Sequence, residues 1–407
     1  MPYCAIGFRN ISKNLRKNAL TALMISFGIV ALYIYGGSNA HMFRQFRDGV
    51  ISGQYGHFQL YARGFLEHGK KSPYGYLIED YSRMEEELLR DGYIDYLAPR
   101  LSFSGIAASD GRSSVVKGFG GRAESEARME YGRVSRGSFF GSEEGSCAVL
   151  GENALGKTGA SIGESVTVLA RMKDGGATAG DFRITGTKKG FGQSDVMNGM
   201  LMVADLRGVQ ELLGTGDAVD TVIVHLKDGG REREAERAIA GFCAANGLEY
   251  RRWDELAVFY TRSREVFAMN ERILTAIILV ISAFIIVNTL YMSHMERVRE
   301  IGTMRAMGTT KAQVCLIVMS ESAVLAAIGC TIGVAAAVAI SLAVNALGGI
   351  HHPASVFNEE PFSTLIKPEP AAIAFYYGLF VCVSVAGSIV ISLRSLRVSI
   401  ADSLRWN

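Results

Sequence analysis

The sequence predicts a polytopic α-helical membrane protein: four transmembrane helices, with a large α+β domain inserted between the first and the second. Three observations predict it. Four stretches run without charge over about the 20 residues that a helix needs to cross the hydrocarbon of a bilayer. Lys and Arg in the short segments between these stretches alternate from side to side. The one long interval, residues 41–272, breaks into short β-branched runs separated by glycine-rich turns.

Composition narrows the function classes. In 407 residues, 42 Lys+Arg against 40 Asp+Glu give a formal net charge of +2. A near-neutral balance argues against nucleic-acid binding, which concentrates Lys and Arg. The 49% apolar content, seven prolines and 20% charge exclude a largely disordered chain. Six cysteines with no CxxC or Cys/His cluster suggest neither a disulfide scaffold nor a zinc site. No constellation of nucleophile, base and metal ligands is present, so no catalytic residue and no metal site is assigned.

The elements follow in order. Residues 1–17 carry Arg9, Lys13, Arg16 and Lys17 ahead of the first span, 18–40. That span has the basic flank of a signal peptide and a loose cleavage-like Ser38-Asn39-Ala40. Its apolar run is longer than a signal core, so it reads as an uncleaved anchor. The second span is 273–293, the third 314–347 and the fourth 371–393. Arg297, Arg299, Arg305 and Lys311 place loop 294–313 in the cytoplasm, with the N-terminus and the tail 394–407 (Arg394, Arg397, Arg405). Loop 348–370 holds only Lys367 against Glu359, Glu360 and Glu369, and lies outside with 41–272. The small net charge is a sum of unlike parts: 30 bases and 33 acids in 41–272, but 12 bases and 7 acids elsewhere.

The inserted segment reads as α+β. YGHFQLYA (55–62) alternates like a strand, and 76–90 places Leu77, Tyr81, Met84 and Leu88 on one helical face. SVVKGF, CAVLG, SVTVLARM, DFRITGT and LMVAD are further strands. TVIVHL (221–226), a helix over 231–245 and LEYRRW (248–253) suggest a β-α-β unit. Residues 254–272 read as a helix running into the second span, so extensions of spans one and two would grip the domain.

One motif misleads. Gly151-Glu152-Asn153-Ala154-Leu155-Gly156-Lys157-Thr158 matches the phosphate-loop pattern G-x-x-x-x-G-K-[ST]. A phosphate loop opens a helix, whereas here Gly159 and Gly163 follow at once and SVTVLA then alternates as a strand. The topology also places it outside, where ATP is scarce. A short helix ended by a glycine turn is the expectation.

The cytoplasmic loop HMERVREIGTMRAMGTTKAQV (294–314) repeats Val298, Ile301, Met304 or Arg305, and Met307 at helical spacing, with charges around the other sides. Gly308-Thr309-Thr310 then breaks the pattern. A short amphipathic helix joined to two spans can carry force into them, or can simply lie on the membrane surface.

These residues carry a resemblance. ERVREIGTMRAMGTTKAQV followed by MSESAVLAAIGCTIGV resembles the FtsX-like permease signature of the MacB-type (type VII) ABC transporter superfamily. AIGFRNISKNLRKNALTALMISFGIVA resembles that family's elbow helix and first span. CAVLGENALGKTGASIGESVTVLA through LMVADLRGVQELLG resembles its periplasmic core domain. The layout, with no attached ATPase, is most similar to the LolC/LolE-type lipoprotein-releasing permease subunits.

The resemblance implies a non-catalytic permease subunit of the bacterial inner membrane, with ATP and Mg bound by a partner. That partner would be a cytoplasmic ABC ATP-binding subunit, two copies per complex, beside a second permease that is either the same chain or a different one. Residues 297–308 would be the coupling helix, with Arg297, Glu300, Ile301, Met304, Arg305 and Gly308 at the motif's positions. Phe8, Ile11 and Leu15, with Arg9, Lys13 and Arg16, would form an elbow helix against the lipids of the inner leaflet. Glu321 falls where the family often has an acid. A carboxylate inside a membrane is costly and should face other helices or loop backbone, as an anchor for the preceding turn or in transport. Gly329 and Gly333 form a GxxxG suited to close helix packing.

In LolC-type subunits a hairpin hook recruits a periplasmic lipoprotein carrier. The matching interval here, RMKDGGATAGD (171–181), is short and glycine-rich, without an aromatic residue or proline to fix a hook. Whether a carrier docks on this chain stays open. Cys147 and Cys243 share the outer compartment, but nothing in the sequence brings them together; Cys4, Cys315, Cys330 and Cys382 lie in the membrane or cytoplasm. His351-His352 near Glu359 and Glu360 reads as a solvated loop rather than a metal site. The expected function is ATP-driven mechanical release of lipoprotein-like cargo. The alternatives are a MacB-like exporter of drugs, peptides or toxins and an FtsX-like signalling subunit without transport.

Overall fold

A computed structural model describes residues 15–69, 72–129, 134–141, 146–188, 200–296, 298–353, 362–367 and 369–395. In chain order the elements begin with α1 (Leu15–Val50), β1 (Phe58–Ala62), α2 (Phe65–His68), α3 (Tyr81–Leu89), β2 (Ile94–Ser109) and β3 (Arg112–Gly121). Next come α4 (Ala123–Arg128), β4 (Arg136–Gly137), β5 (Cys147–Gly151), α5 (Glu152–Thr158), β6 (Ser165–Arg171) and β7 (Ala177–Lys188). Then follow β8 (Leu201–Asp205), α6 (Leu206–Leu213), β9 (Thr221–Leu226), α7 (Glu232–Ala245), β10 (Leu248–Arg252) and α8 (Trp253–Leu256). The chain closes with α9 (Val258–Glu296), α10 (Val298–Ala306), α11 (Lys311–Ala346), β11 (Ile350–His352), β12 (Phe362–Thr364) and α12 (Pro370–Ser395). The described residues fall into two compact units, one within 1–44, 263–352 and 362–407, the other within 45–262 together with Pro353.

In the first unit, α1, α9, α11 and α12 are long and apolar enough to cross a membrane. Hydrocarbon requires about 20 residues, yet α1 has 36 and α9 has 39. Neither contains proline, and neither breaks where its apolar stretch ends; at 1.5 Å per residue each extends over roughly 55 Å. The core of this unit gathers Ile25, Ile29 and Leu32 of α1, Ile286 of α9, Ala326 and Cys330 of α11, and Tyr376 and Phe380 of α12. A cap of loop backbone closes one end. Asn345 accepts from Ile366 N–H and donates to Ile366 O, both at 2.9 Å, while Leu365 N–H donates to His41 Nδ1.

The second unit is the inserted α+β domain. Its long strand β2 changes partners along its length: β9 over 94–100, β3 over 100–109 and β6 over 105–108. Pairings β2–β3, β3–β8, β8–β5, β5–β7, β7–β6 and β6–β2 therefore close a ring of six strands. Phe103, Val116, Val166, Val168, Phe182 and Ile184 fill it. Strand β5 is buried on both faces: Ala148 and Leu150 join this core, Cys147 and Val149 a smaller one with Phe119 and Phe140.

Four expectations need correction. The 221–253 unit is a split β-α-β, because β1 lies between β9 and β10 and pairs antiparallel with both. Strand β1 does not alternate: Phe58, Gln59, Leu60 and Tyr61 are all buried, Gln59 satisfied by the Tyr55 carbonyl and the Tyr61 hydroxyl. The helix expected over 76–90 begins at Tyr81, since Ile78 instead bridges to Val219. The helix expected over 254–272 breaks at Ala257, between α8 and α9. The sequence reading also passes over β2, whose Pro99 and Gly105 resemble breakers but fall where partners change.

Candidate functional site

The 294–313 loop holds α10, nine residues between α9 and α11. Its end is a Schellman motif: Thr309 N–H donates to Met304 O and Gly308 N–H to Arg305 O, both at 3.1 Å. Gly308 has φ 99°, a conformation that costs a residue with a Cβ. Immediately afterwards Thr310 and Gln313 form a capping box, Gln313 N–H to Thr310 Oγ1 at 3.3 Å and Thr310 N–H to Gln313 Oε1 at 2.9 Å. A helix stop and a helix start are thus written back to back, so the end of α10 and the start of α11 are locally determined.

The proposed coupling residues separate into two groups. Ile301 is buried against Val314 of α11, with Met304 and Cys315 packed beside them, so Ile301 and Met304 seat α10 rather than face outward. Glu300 is exposed, Arg305 is half-buried and Gly308 makes the turn. Arg297 lies outside the described residues. Sequence reasoning left Met307 out of the coupling set, yet it is 76% exposed at the α10 end.

Glu321 is buried on α11. At the next residue, Ser384 Oγ of α12 donates to Ser322 O at 3.1 Å. Gly329 and Gly333 are where α11 meets α1. A Cβ on Gly329 would stand 3.0 Å from Ala22 O, and one on Gly333 2.9 Å from Ile29 Cβ and Ser26 Cα. Ser26 Oγ donates to Gly329 O at 2.7 Å across this contact. Of the elbow residues, Leu15 and Arg16 belong to the first turn of α1 instead of a separate helix, and Phe8, Arg9, Ile11 and Lys13 lie outside the described residues.

The phosphate-loop look-alike is strand, short helix and glycine turn. Gly151 ends β5, and the Gly-Lys-Thr portion closes α5 rather than opening it. Thr158 is buried inside the domain, its hydroxyl donating back to Ala154 O and Leu155 O, so it does not face a ligand site. The interval 171–181 is a tight β6–β7 hairpin: Met172 N–H donates to Gly176 O at 2.8 Å and Gly175 N–H to Met172 O at 3.1 Å. No hook projects from it. His352 stacks on Phe362, and a hydrogen bond of 2.9 Å joins its Nε2 and Thr364 Oγ1; Glu359 and Glu360 lie outside the described residues. Among the described residues no cluster of three His, Cys, Asp or Glu could hold a metal. Cys147 and Cys243 occupy different core clusters and no bridge joins them.

Comparison with known proteins follows the same division. The MacB-like periplasmic core domain family matches residues 18–242, and the FtsX-like permease C-terminal family matches residues 272–400. Among solved structures, the periplasmic region of MacB from Actinobacillus actinomycetemcomitans is 15% identical with a TM-score of 0.37, over 49% of this chain and 89% of that one. The extracellular domain of the noncanonic ABC-type transporter YknZ from Gram-positive bacteria is 14% identical with a TM-score of 0.35, over 48% and 98%. No curated protein matches the chain. With more than half of its length matched by the core-domain family and its last three spans by the permease family, the chain belongs to the MacB/FtsX family of ABC-type permeases.

Proposed function

We propose that this permease transmits force: closure of two separate ATP-binding subunits moves α10, and α1 and α9 pass that motion to the inserted domain. The cargo would be lipid-anchored or amphiphilic molecules drawn from the outer leaflet of the inner membrane, with both termini in the cytoplasm. The observation that carries this reading is the length of α1 and α9. Each continues for about 15 residues beyond what a bilayer requires, without proline or glycine-induced breaks, and a continuous helix transmits displacement along its axis. The compact β6–β7 hairpin favours release without a carrier docked at that position.

The test is reconstitution in proteoliposomes with the partner ATPase and a triacylated lipopeptide as probe cargo. Permease alone should hydrolyse no ATP, and the complex should release lipopeptide only with ATP. Hydrolysis by the permease alone, or ATP turnover by the complex with no lipopeptide released, would overturn the reading.

A further inference from the structure

Where the inserted domain receives α1, the chain makes a π-helical turn, Ile51–Tyr55, before entering β1. Such turns are rare and concentrate at functional positions. Gly56 follows at φ 62° and ψ −167°, a region essentially restricted to glycine. A Cβ there would stand 2.4 Å from Ile223 Cγ2, 2.8 Å from Val224 O and 3.4 Å from His225 Nε2. The next residue ties arrival to departure: His57 N–H donates to Val224 O at 2.8 Å, and Trp253 N–H, opening α8, donates to His57 O at 3.1 Å.

Two imidazoles are built into this joint. His57 Nδ1 accepts the N–H of Leu226 at 3.2 Å, so that nitrogen must carry a lone pair. His225 is 5% exposed, stacks on Tyr96 at 4.3 Å with an interplanar angle of 5°, and its Nε2 is buried without a hydrogen-bond partner. The two histidine rings lie 6.1 Å apart, edge to face.

The surroundings disfavour a proton. His225 feels His57, just ahead of β1, Arg128 of α4, which sits 3.8 Å over the Tyr96 ring, and Arg100 of β2. The carboxylates nearby are committed: Asp95 pairs with Arg128, and Glu126 holds Arg100 at 2.8 Å. His57 feels Arg47 and Asp48 of α1, which are themselves paired. Burial, then these cations, holds the His225 pKa down at about 3; burial, then Arg47, holds His57 below its ordinary value.

We propose that His57 and His225 form an acid-released latch. In acid both imidazoles take up a proton, the Leu226 N–H to His57 bond and the stacked seat of His225 are lost, and residues 51–57 detach from β9. The domain's hold on the end of α1 would then depend on the pH of the compartment it faces. Because the closed form depresses the pKa, the latch is secure above the ordinary imidazole range and weakens as pH falls towards 3. With about 6.5 for a free imidazole and about 3 in the latch, His225 alone shifts the opening equilibrium about 30-fold between pH 8 and pH 5.

The experiment is hydrogen–deuterium exchange on the full chain in lipid nanodiscs at pH 8 and pH 5, corrected for intrinsic exchange. Protection of 51–57 and 222–226 should fall by at least about tenfold in acid, while β5 and β8 keep theirs. His57→Asn keeps an acceptor and His225→Phe keeps the stack on Tyr96, and neither titrates, so the double variant should lose the acid response. Should the double variant not fold, His57→Asn alone must show a smaller response than the parent. Unchanged protection in the parent, equal loss in β5 and β8, or a variant that responds as the parent does would each overturn the latch.

Discussion

Ser26 Oγ on α1 lies 2.7 Å from the carbonyl oxygen of Gly329 on α11 and 2.7 Å from that of Ala22 in its own helix. One hydroxyl proton is shared between two carbonyls. The Gly329 carbonyl is reachable because no side chain at Gly329 or Gly333 holds the helices apart. Small residues here give dense van der Waals contact together with a polar tie, in a medium where burial of apolar surface provides little drive.

Enlarging this contact should therefore cost more than removing the tie. Gly333→Leu must push Ile29 and Ser26 away, a cost of about 1–3 kcal/mol. Ser26→Ala loses an interhelical bond worth about 0.6 kcal/mol. Thermal unfolding in detergent should rank the two in that order.

In α10, the helix proposed to couple to the ATPase, Arg305→Glu should leave insertion and folding intact but lower ATP-dependent release on the order of tenfold, about 1.4 kcal/mol of coupling. Met307→Asp, at an exposed position just past α10, should weaken co-purification of the ATPase. Ile301→Asn should instead destabilise the chain itself, because Ile301 is buried on Val314. Pull-down and thermal stability measured on the same three variants distinguish these outcomes.

Lys157→Ala, in the phosphate-loop look-alike, should leave ATP turnover of the assembled complex unchanged. Lys157 is exposed in the last turn of α5, and the neighbouring Thr158 is buried with its hydroxyl turned back onto the helix. A loss of turnover comparable to that of a true phosphate-loop lysine would contradict this.

The buried Arg100–Glu126 pair should be among the most sensitive positions in the inserted domain. Arg100 Nε and Nη2 meet the two Glu126 oxygens at 2.8 and 2.9 Å, and Glu126 is 1% exposed. Glu126→Gln leaves a buried guanidinium against a neutral amide, which costs about 3–5 kcal/mol. The urea midpoint of the domain should fall accordingly.

Asp220 should respond in the opposite sense. It is 1% exposed; Oδ2 accepts from Ser102 N–H while Oδ1 is buried without a partner. Burial pushes its carboxyl above the ordinary value. A raised native pKa makes the protonated form the favourable one, so stability is lost as pH rises through it. Asp220→Asn keeps the acceptor without the charge, and its melting temperature should equal or exceed the parent's at pH 7.5, the gap narrowing as pH falls towards 4.

The spans and the α+β character of residues 41–272 were legible because each rests on local properties. Hydrocarbon acts on one segment at a time, so a run of 20 uncharged residues declares itself, and a GxxxG declares a close contact. The stop at Gly308 and the start at Thr310 were equally local. What faces what was not. Ile301 and Met304 share the spacing of Met307, but only the position of Val314 decides that the first two are seated and the last is exposed.

Sequence by itself determined four membrane-length helices, their charge asymmetry, an inserted α+β segment and the signature of an ABC-type permease. Tertiary structure decided that β2 serves three partners, that β1 divides the β9–α7–β10 unit and that six strands close into a ring. It also decided that His57 and His225, 168 positions apart in the numbering, meet where α1 enters the sheet. The reason is physical: transfer to a bilayer is scored along the chain, whereas strand partners and buried imidazoles are chosen by contacts between distant segments, which no local pattern records.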